Sequence, residues 1–238
     1  MPARKRWRWV GAFSPELMLC VGDARIGPLP RRWWAVCLPD GTLAEGTRGV
    51  RLSRGRVEVD GVIDVVVEEN DGFGVTSTTA GGNSIWTRKQ GGVLARGRVT
   101  MPDGRAFDLD ARAIVDESDG RHDRHTFWRW SAGVGTTEDG SPVAWNLVDG
   151  IHDAPGASER RVWRGGEAAE VDPVEFAPDL SRVAGLSFDP WGERSEDVNL
   201  LVARSRYRQP FGVFAGELPD GTRLREGYGV MEEHDALW

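Results

Sequence analysis

Residues 56–67 read RVEVDGVIDVVV, two short runs rich in valine and isoleucine that meet at Asp60-Gly61. β-Branched residues favour strands, and polar and apolar side chains alternate in residues 56–59 with the period of two that a half-buried strand requires. Asp-Gly readily takes the positive φ angles of a two-residue type I′ turn, whose twist matches that of the flanking strands. The stretch therefore predicts a β-hairpin.

The same turn signal recurs along the chain. Regularly spaced short strands separated by turn signals indicate an antiparallel sandwich or barrel. No amphipathic helical run reaches twelve residues, and only residues 179–186 have the character of one or two helical turns. We therefore predict an all-β, antiparallel fold with few helices. The eight Asp-Gly dipeptides begin at Asp40, Asp60, Asp71, Asp103, Asp119, Asp139, Asp149 and Asp220.

The chain length allows either one large β domain or two smaller ones. It has 238 residues, and two domains of about 120 residues each would both be of ordinary size. Residues 116–124 are rich in charged and turn-forming side chains and make the best junction. We predict an N-terminal β unit at residues 1–118 and a C-terminal β unit at residues 119–238.

Charge and composition exclude several classes of protein. The net charge of −7 argues against general nucleic-acid binding, which needs clustered positive charge. Residues 4–9 (RKRWRW) are a local basic exception that we interpret as a solvated strand or tail. Two cysteines are too few for a disulfide framework, and no apolar run is long enough to span a membrane. We expect a cytoplasmic protein with reduced thiols and no integral membrane association.

Large aromatic and scarce polar side chains come together in residues 125–130 (HTFWRW). Apolar walls with a few placed donors and acceptors are typical of a ligand pocket. On a strand, His125 and Arg129 share one face, whereas Trp128 and Trp130 share the other. His125 is then either a satisfied buried donor or part of a pocket wall.

Asn146 interrupts an otherwise apolar strand at residues 143–148 (VAWNLV). Val143, Trp145 and Leu147 form one face, and Asn146 lies on the other. Leaving a buried amide without partners costs roughly 1–3 kcal/mol. We therefore expect Asn146 to bond either the backbone or a ligand.

A second cluster, residues 232–238 (EEHDALW), is unusual for a chain end. Chain ends are commonly polar and frayed, so Trp238 predicts that this segment packs. A carboxylate packed with it would have a raised pKa and could act as a general acid. The alternative is a solvated acidic end.

His122 and His125 have an H-x-x-H spacing that invites comparison with metal sites. On a strand, residues three apart point to opposite faces, so both could bind one ion only across a turn. The helical H-E-x-x-H pattern of zinc enzymes is absent. We predict no metal site and no cofactor.

Several motifs taken in order resemble one bacterial family. They are HTFWRWSAG (125–133), NLV (146–148), QPFG (209–212) and GVMEEH (229–234). This series is similar to the domain of unknown function 2804, a group similar in turn to lipocalin-like carotenoid hydratases, tocopherol cyclases and Diels–Alder cyclases.

The resemblance implies two lipocalin-like (calycin) β units with an apolar pocket in or between them. It also implies, for an enzyme, a general acid in a dry pocket with aromatic faces that stabilise a carbocation. The residue types suggest Glu233 or Asp123 as the acid and His125 and His234 as orienting partners. The expected ligand contacts are Trp128, Trp130, Trp145, Asn146 and Arg129.

Three functions remain open. The first is a lipocalin-like protein that binds a lipophilic small molecule, a lipid or an isoprenoid, without turnover. The second is a hydratase, isomerase or cyclase that protonates such a ligand. The third is a carbohydrate-binding β-sandwich, in which some of the eleven tryptophans would form an exposed, coplanar surface for sugar rings.

Overall fold

The computed structural model describes residues 3–154, 156–200 and 203–237, and it is built of β-strands joined by turns and loops. Trp238, on which the prediction of a packed chain end rests, lies outside the described residues. Within them, no helix is long and apolar enough to cross a bilayer. Residues 179–186, expected to form helical turns, instead form a turn and a tight hairpin in which Val183 pairs with Leu186. The all-β prediction is confirmed.

The first sheet is antiparallel and contains ten strands. Its order is β4-β3-β2-β1-β10-β9-β7-β6-β5, and β8 pairs with β9 beside this path. The strands are β1 (Arg4–Phe13), β2 (Met18–Ile26), β3 (Leu29–Cys37), β4 (Leu43–Gly46), β5 (Val50–Ser53), β6 (Arg56–Val59), β7 (Ile63–Val67), β8 (Phe73–Thr78), β9 (Ser84–Thr100) and β10 (Ala106–Arg121).

The second sheet is antiparallel, and its described residues form eight strands in the order β14-β13-β12-β11-β18-β17-β16-β15. The strands are β11 (His125–Thr137), β12 (Pro142–Asp149), β13 (Arg161–Arg164), β14 (Glu167–Glu170), β15 (Arg182–Val183), β16 (Gly185–Leu200), β17 (Ala203–Glu217) and β18 (Arg223–Leu237). The first sheet thus ends at residue 121 and the second begins at residue 125. The division into domains at residue 118 falls inside β10 and stays a prediction.

The hairpin predicted at residues 56–67 is present, but its turn is of a different type. Val59 pairs with Ile63, so three residues connect β6 and β7, and Val62 N donates to Val59 O at 2.9 Å. Gly61 has a positive φ of 72°, whereas Asp60 does not. This is a type II turn, in which the third of the four residues takes a positive φ and is usually glycine. Asp119-Gly120 is not a turn at all, because it lies within β10.

Three apolar clusters hold the chain together. One is enclosed by the first sheet, which curls so that strands from its two ends share a core, and a second is enclosed by the second sheet. The third lies between the sheets and joins Trp9, Phe13 and Met18 to Phe211 and Val230. The molecule is therefore two curled half-barrels packed against each other, in agreement with the two-unit lipocalin-like architecture that the resemblance implies.

Strand β1 takes part in two of these clusters at once. Val10 and Ala12 point into the core of the first sheet, whereas Trp9 and Phe13 point toward the second sheet. Successive strand residues face opposite sides, so this segment has to be apolar on both. The strand is consequently buried on both faces at residues 9–13.

A glycine bulge changes the face that β9 presents. Val93 pairs with Ala113 and Gly91 with Ile114, so Gly92 is an extra residue in the ladder, and its φ is 72°. The extra residue reverses the alternation, as β-bulges do. Val93 points into the core of the first sheet, but Lys89, an even number of positions away, lines the space between the sheets.

Gly92→Ala should lower the free energy of unfolding by about 1–3 kcal/mol, because a side chain is strained at that φ. The added Cβ itself would meet only an ordinary contact at 3.5 Å, so the effect reports on the backbone. Urea denaturation measures the change. Gly74→Ala in β8, where φ is ordinary, is the control and should stay within about 0.5 kcal/mol of the parent. Equal stability of Gly92→Ala and the parent would contradict the bulge.

Candidate functional site

A cavity of about 740 Å³ lies between the two sheets, where the third apolar cluster stops. The first sheet contributes Trp7, Trp9 and Trp33 to its wall. The second sheet contributes Trp128 and Trp130, as well as the polar groups described below. Trp9 and Trp130 meet edge to face across the boundary, with ring centroids 5.1 Å apart. The cavity therefore has aromatic walls from both halves of the chain.

Glu232 is a buried carboxylic acid on the cavity wall. Trp128 Nε1 donates to its Oε1 at 2.8 Å, and the Tyr207 hydroxyl and Gln209 Nε2 each donate to its Oε2 at 2.9 Å. Burial raises the pKa of Glu232 to about 7, although these hydrogen bonds act in the opposite direction. A large fraction of this group is therefore protonated at neutral pH.

His234 lies next to Glu232 on the cavity face of β18. Its Nε2 is 2.9 Å from the Ser205 hydroxyl, and its ring packs against those of Trp128 and Tyr207 with centroids 4.4 and 5.3 Å away. Burial, assisted by nearby cationic side chains, lowers the pKa of His234 to about 3. The imidazole is thus neutral and accepts or donates hydrogen bonds without carrying charge.

The guanidinium of Arg194 covers the same part of the cavity. Its carbon lies 5.0 Å from the ring centroid of Tyr207 and 5.7 Å from that of Trp33, within cation–π range. Glu45 and Glu196 lie 3.5 and 3.6 Å from its nitrogens. Burial and the neighbouring Glu232 raise the pKa of Tyr207 well above its ordinary value of 10, so the phenol stays a hydrogen-bond donor.

A buried ion cluster forms another part of the wall. Lys89 Nζ lies 2.7 Å from Asp116 Oδ1 and 3.1 Å from Glu159 Oε1, and all three side chains line the cavity. Burial alone would lower the pKa of Lys89, but the two carboxylates outweigh it and the pKa is raised. Trp7 Nε1 donates to Asp116 Oδ2 at 3.1 Å. A buried cation is stable here because two anions compensate its charge.

Three of the four predicted catalytic residues, Glu233, His125 and Asp123, lie outside this cavity. Arg129 pairs with Glu233 at 2.8 Å on the face of β11 and β18 that continues into the core of the second sheet. His125 is exposed and pairs with Asp235 at 2.7 Å. Trp128 stands opposite His234 in the ladder, which places His234 and Glu232 on the cavity face and Glu233 on the other.

Asp123 holds a loop instead of lining the cavity. Its carboxylate accepts hydrogen bonds from the Thr79 hydroxyl at 2.8 Å and from Gly81 N and Asn83 Nδ2 at 3.2 Å. These bonds, the one from Thr79 above all, lower the pKa of Asp123. An ionised carboxylate is a poor proton donor, so this geometry does not favour Asp123 as a general acid.

The strand at residues 143–148 has the two faces that its alternation predicts. Trp145 lies in the core of the second sheet and donates to the Ser131 hydroxyl at 3.1 Å, away from the cavity. Asn146 is on the opposite face, where its Oδ1 accepts from Trp130 Nε1 at 2.8 Å and its Nδ2 donates to Glu159 O at 2.9 Å. Asn146 therefore orients two residues of the cavity wall.

The predicted H-x-x-H pair is separated, because His122 is buried while His125 is exposed. Within the described ranges, no group of three or more His, Cys, Asp or Glu side chains is placed to hold a metal ion. Cys20 and Cys37 are buried free thiols, and burial raises the pKa of each to about 12.

The profile of the domain of unknown function DUF2804 matches residues 42–238, which is most of the chain. The chain belongs to the DUF2804 family. The resemblance drawn from the sequence motifs is thereby confirmed for the family. A search of curated proteins found no match for this DUF2804 protein.

Solved structures similar to this DUF2804 protein share little sequence with it. A candidate AttH protein from Nitrosomonas europaea is 14% identical, with 97% of this chain and 92% of that chain covered and a TM-score of 0.52. CghA with Sch210972 is 9% identical over 99% and 88% of the two chains, with a TM-score of 0.42. Kievitone hydratase from Nectria haematococca is 10% identical over 98% and 88%, with a TM-score of 0.40. The first likeness supports the fold alone.

Sequence reasoning did not select several residues of the cavity, namely Glu232, Tyr207, Lys89, Asp116, Glu159 and His152. One signal was available for Lys89. The chain has only two lysines, Lys5 and Lys89, and uses arginine at all its other permanently charged basic positions. Both lysines are buried on the cavity wall. Their rarity distinguishes these two lysines from the arginines that the chain otherwise uses.

The raised pKa of Glu232 predicts a specific pH dependence of stability. The folded protein holds this proton up to about pH 7, whereas the unfolded chain releases it near 4.5. The protonated Glu232 therefore contributes fully to the free energy of unfolding below pH 4.5. This contribution is lost as the pH rises through 7, a change on the order of 3 kcal/mol. Urea denaturation at pH 4.5, 6 and 8 measures it.

Glu232→Gln should abolish this part of the pH dependence, because the amide does not titrate. Glu233→Gln changes the neighbouring residue on the opposite face and should keep the dependence of the parent. The assignment would be wrong if the parent and Glu232→Gln showed the same pH profile.

Proposed function

We propose that this DUF2804 protein binds a lipophilic small molecule, a lipid or an isoprenoid, in the cavity between its two sheets. The observation that carries the proposal is a cavity of about 740 Å³ walled by tryptophans from both sheets. This volume lies within the range of about 300–1,000 Å³ typical of ligand pockets. Aromatic rings supply large apolar contact areas, and the buried polar groups fix the orientation of a ligand.

Catalysis on such a ligand is the second candidate function, favoured by the buried acid Glu232. With a pKa of about 7 it is available as a proton donor at neutral pH. In this scheme, its O–H bond breaks as the proton adds to one carbon of a ligand double bond, which leaves a carbocation and a carboxylate. Trp128, Tyr207 and Gln209 already donate to that carboxylate.

The cation would face the aromatic walls, whose rings stabilise positive charge. Addition of water and loss of one of its protons to the Glu232 carboxylate complete a hydration, and loss of a proton from a neighbouring carbon to that carboxylate completes an isomerisation. In a cyclisation, a second double bond attacks the cation and forms a ring with a new cation, which then loses a proton to the same carboxylate. The proposal assigns the acid to Glu232 instead of the predicted Glu233 or Asp123, because Glu232 alone of the three lines the cavity. His234 and Arg194 then orient the ligand beside it.

Carbohydrate binding receives less support from this geometry. Sugar-stacking surfaces need several exposed tryptophans, but among the described residues Trp86 is the one exposed tryptophan. The others are buried or half-buried, in the cores or on the cavity wall.

Native mass spectrometry of the purified protein, followed by organic extraction, tests the binding function. We expect a stoichiometric lipophilic mass that is released by extraction. The same masses should be absent from Ala24→Trp, in which a bulky ring replaces a small side chain on the cavity wall. Equal retention by the parent and the filled variant would place the ligand elsewhere and contradict the proposal.

Catalysis is tested with the ligand that the extraction identifies. Glu232→Gln should keep ligand affinity within about threefold and lower turnover by at least about 100-fold, since general acids contribute about 10²–10⁴ in rate. Product is measured by liquid chromatography with mass spectrometry. Glu233→Gln, which alters the face of the same strand that points away from the cavity, should turn over like the parent. Unchanged turnover in Glu232→Gln would exclude the proposed acid and leave the binding function standing.

A further inference from the structure

We propose that the cavity recognises an uncharged hydroxyl group on its ligand at the end formed by His122, His152 and Glu159, which we term the histidine end. This inference rests on the proposed binding function and specifies the class of ligand. Glu232 plays no part in it. All three side chains line the cavity, and the loop that carries two of them is closed by a hydrogen bond from Glu159 N to His152 O at 2.9 Å.

Each of these side chains has one buried polar atom without a hydrogen-bond partner in the part of the chain that the structure describes. The atoms are His122 Nε2, His152 Nε2 and Glu159 Oε2. The residues are only 1%, 7% and 3% exposed, so bulk solvent does not satisfy them. Buried polar groups in native proteins nearly always have partners, and three without one at a single end of a cavity indicate a polar group that arrives with a ligand.

The same side chains are held in place through their other atoms. His152 Nδ1 lies 2.6 Å from the Ser77 hydroxyl, and Glu159 Oε1 lies 3.1 Å from Lys89 Nζ. The His122 ring packs against Trp7 at 5.0 Å and edge to face against His152 at 5.9 Å between centroids. The unsatisfied atoms therefore belong to fixed side chains, as preorganised recognition requires.

Charge at this end disfavours an ionised ligand group of either sign. Burial, with the positive charge of Lys5, lowers the pKa of His122 to about 2, and burial with Lys89 lowers that of His152 to about 4. An environment that keeps two imidazoles neutral also resists a ligand cation. The carboxylates of Asp116 and Glu159 repel a ligand anion, and Lys89 is already engaged by both of them.

The hydrogen-bonding capacity of the three atoms selects a hydroxyl among neutral groups. A carboxylate oxygen such as Glu159 Oε2 only accepts hydrogen bonds. A neutral histidine nitrogen donates or accepts according to its tautomer. A ligand carbonyl cannot donate to Glu159, whereas an alcohol or phenol donates one hydrogen bond and accepts others. Among the neutral oxygen groups of a lipid or isoprenoid, the one that fits is therefore a hydroxyl.

Three probes that differ in one substituent test the inference: naphthalene, 2-naphthol and 2-naphthoate. Dissociation constants are measured by equilibrium dialysis at pH 7, where 2-naphthol is uncharged. We expect 2-naphthol to bind about tenfold more tightly than naphthalene, the effect of roughly one satisfied hydrogen bond. We expect 2-naphthoate to bind more weakly than 2-naphthol.

His122→Phe and His152→Phe should each bring the ratio of the naphthalene and 2-naphthol constants toward one. His125→Phe removes an exposed histidine outside the cavity and should keep the ratio of the parent. His122→Gln and His152→Gln retain a hydrogen-bonding group, and a ratio that stays well above one in them would support recognition at this end even if a phenylalanine variant failed to fold.

The outcomes separate this inference from the function on which it rests. Binding of naphthalene and 2-naphthol with equal affinity would overturn the hydroxyl site and leave the apolar pocket intact. Tightest binding of 2-naphthoate would overturn the charge argument and the inference with it. Failure of all three probes to bind would count against the proposed function itself. A ratio unchanged in both phenylalanine variants would move the hydroxyl to another part of the cavity, away from the histidine end.

Discussion

The central strands of this protein must satisfy two hydrophobic environments at once, and this constraint organises everything else. Residues 9–13 of β1 are buried on both faces, one in the core of the first sheet and one against the second sheet. Two-sided burial fixes how the half-barrels pack, because a shift of one residue would exchange the two faces. The cavity lies where this shared apolar layer ends. Farther along the same strand faces, tryptophans and polar side chains form its wall.

The polar groups of the cavity are tolerated because the protein supplies their partners. Glu232 accepts from three donors, and Lys89 sits between two carboxylates. Desolvation still acts on them: it raises the pKa of Glu232 to about 7 and keeps the histidines neutral. The buried histidines of the site therefore carry no charge, and the tryptophans beside them suit a ligand that is itself mostly apolar.

Local pattern was sufficient for the strand content, the hairpins, the two faces of residues 143–148 and the family. It was insufficient wherever the face on which a residue lies depends on how distant strands pair. Glu232 and Glu233 are neighbours of the same type, and only the register of β18 against β11 decides which one lines the cavity. The bulge at Gly92 reverses the alternation of β9, so a period-of-two pattern read along the strand places Lys89 on the wrong side. Most Asp-Gly dipeptides lie in turns, but Asp119-Gly120 lies within β10, and the turn type depends on how many residues the flanking strands leave unpaired.

Because both sheets contribute to the cavity wall, a bound ligand would contact both halves of the molecule and link them. Each half has a core of its own and can in principle unfold locally without the other. A ligand that contacts both halves would be lost when either one opens, so it would couple their unfolding. Occupancy would then change the cooperativity of the whole chain as well as its stability. In this architecture a ligand bound there would complete the junction between the two half-barrels.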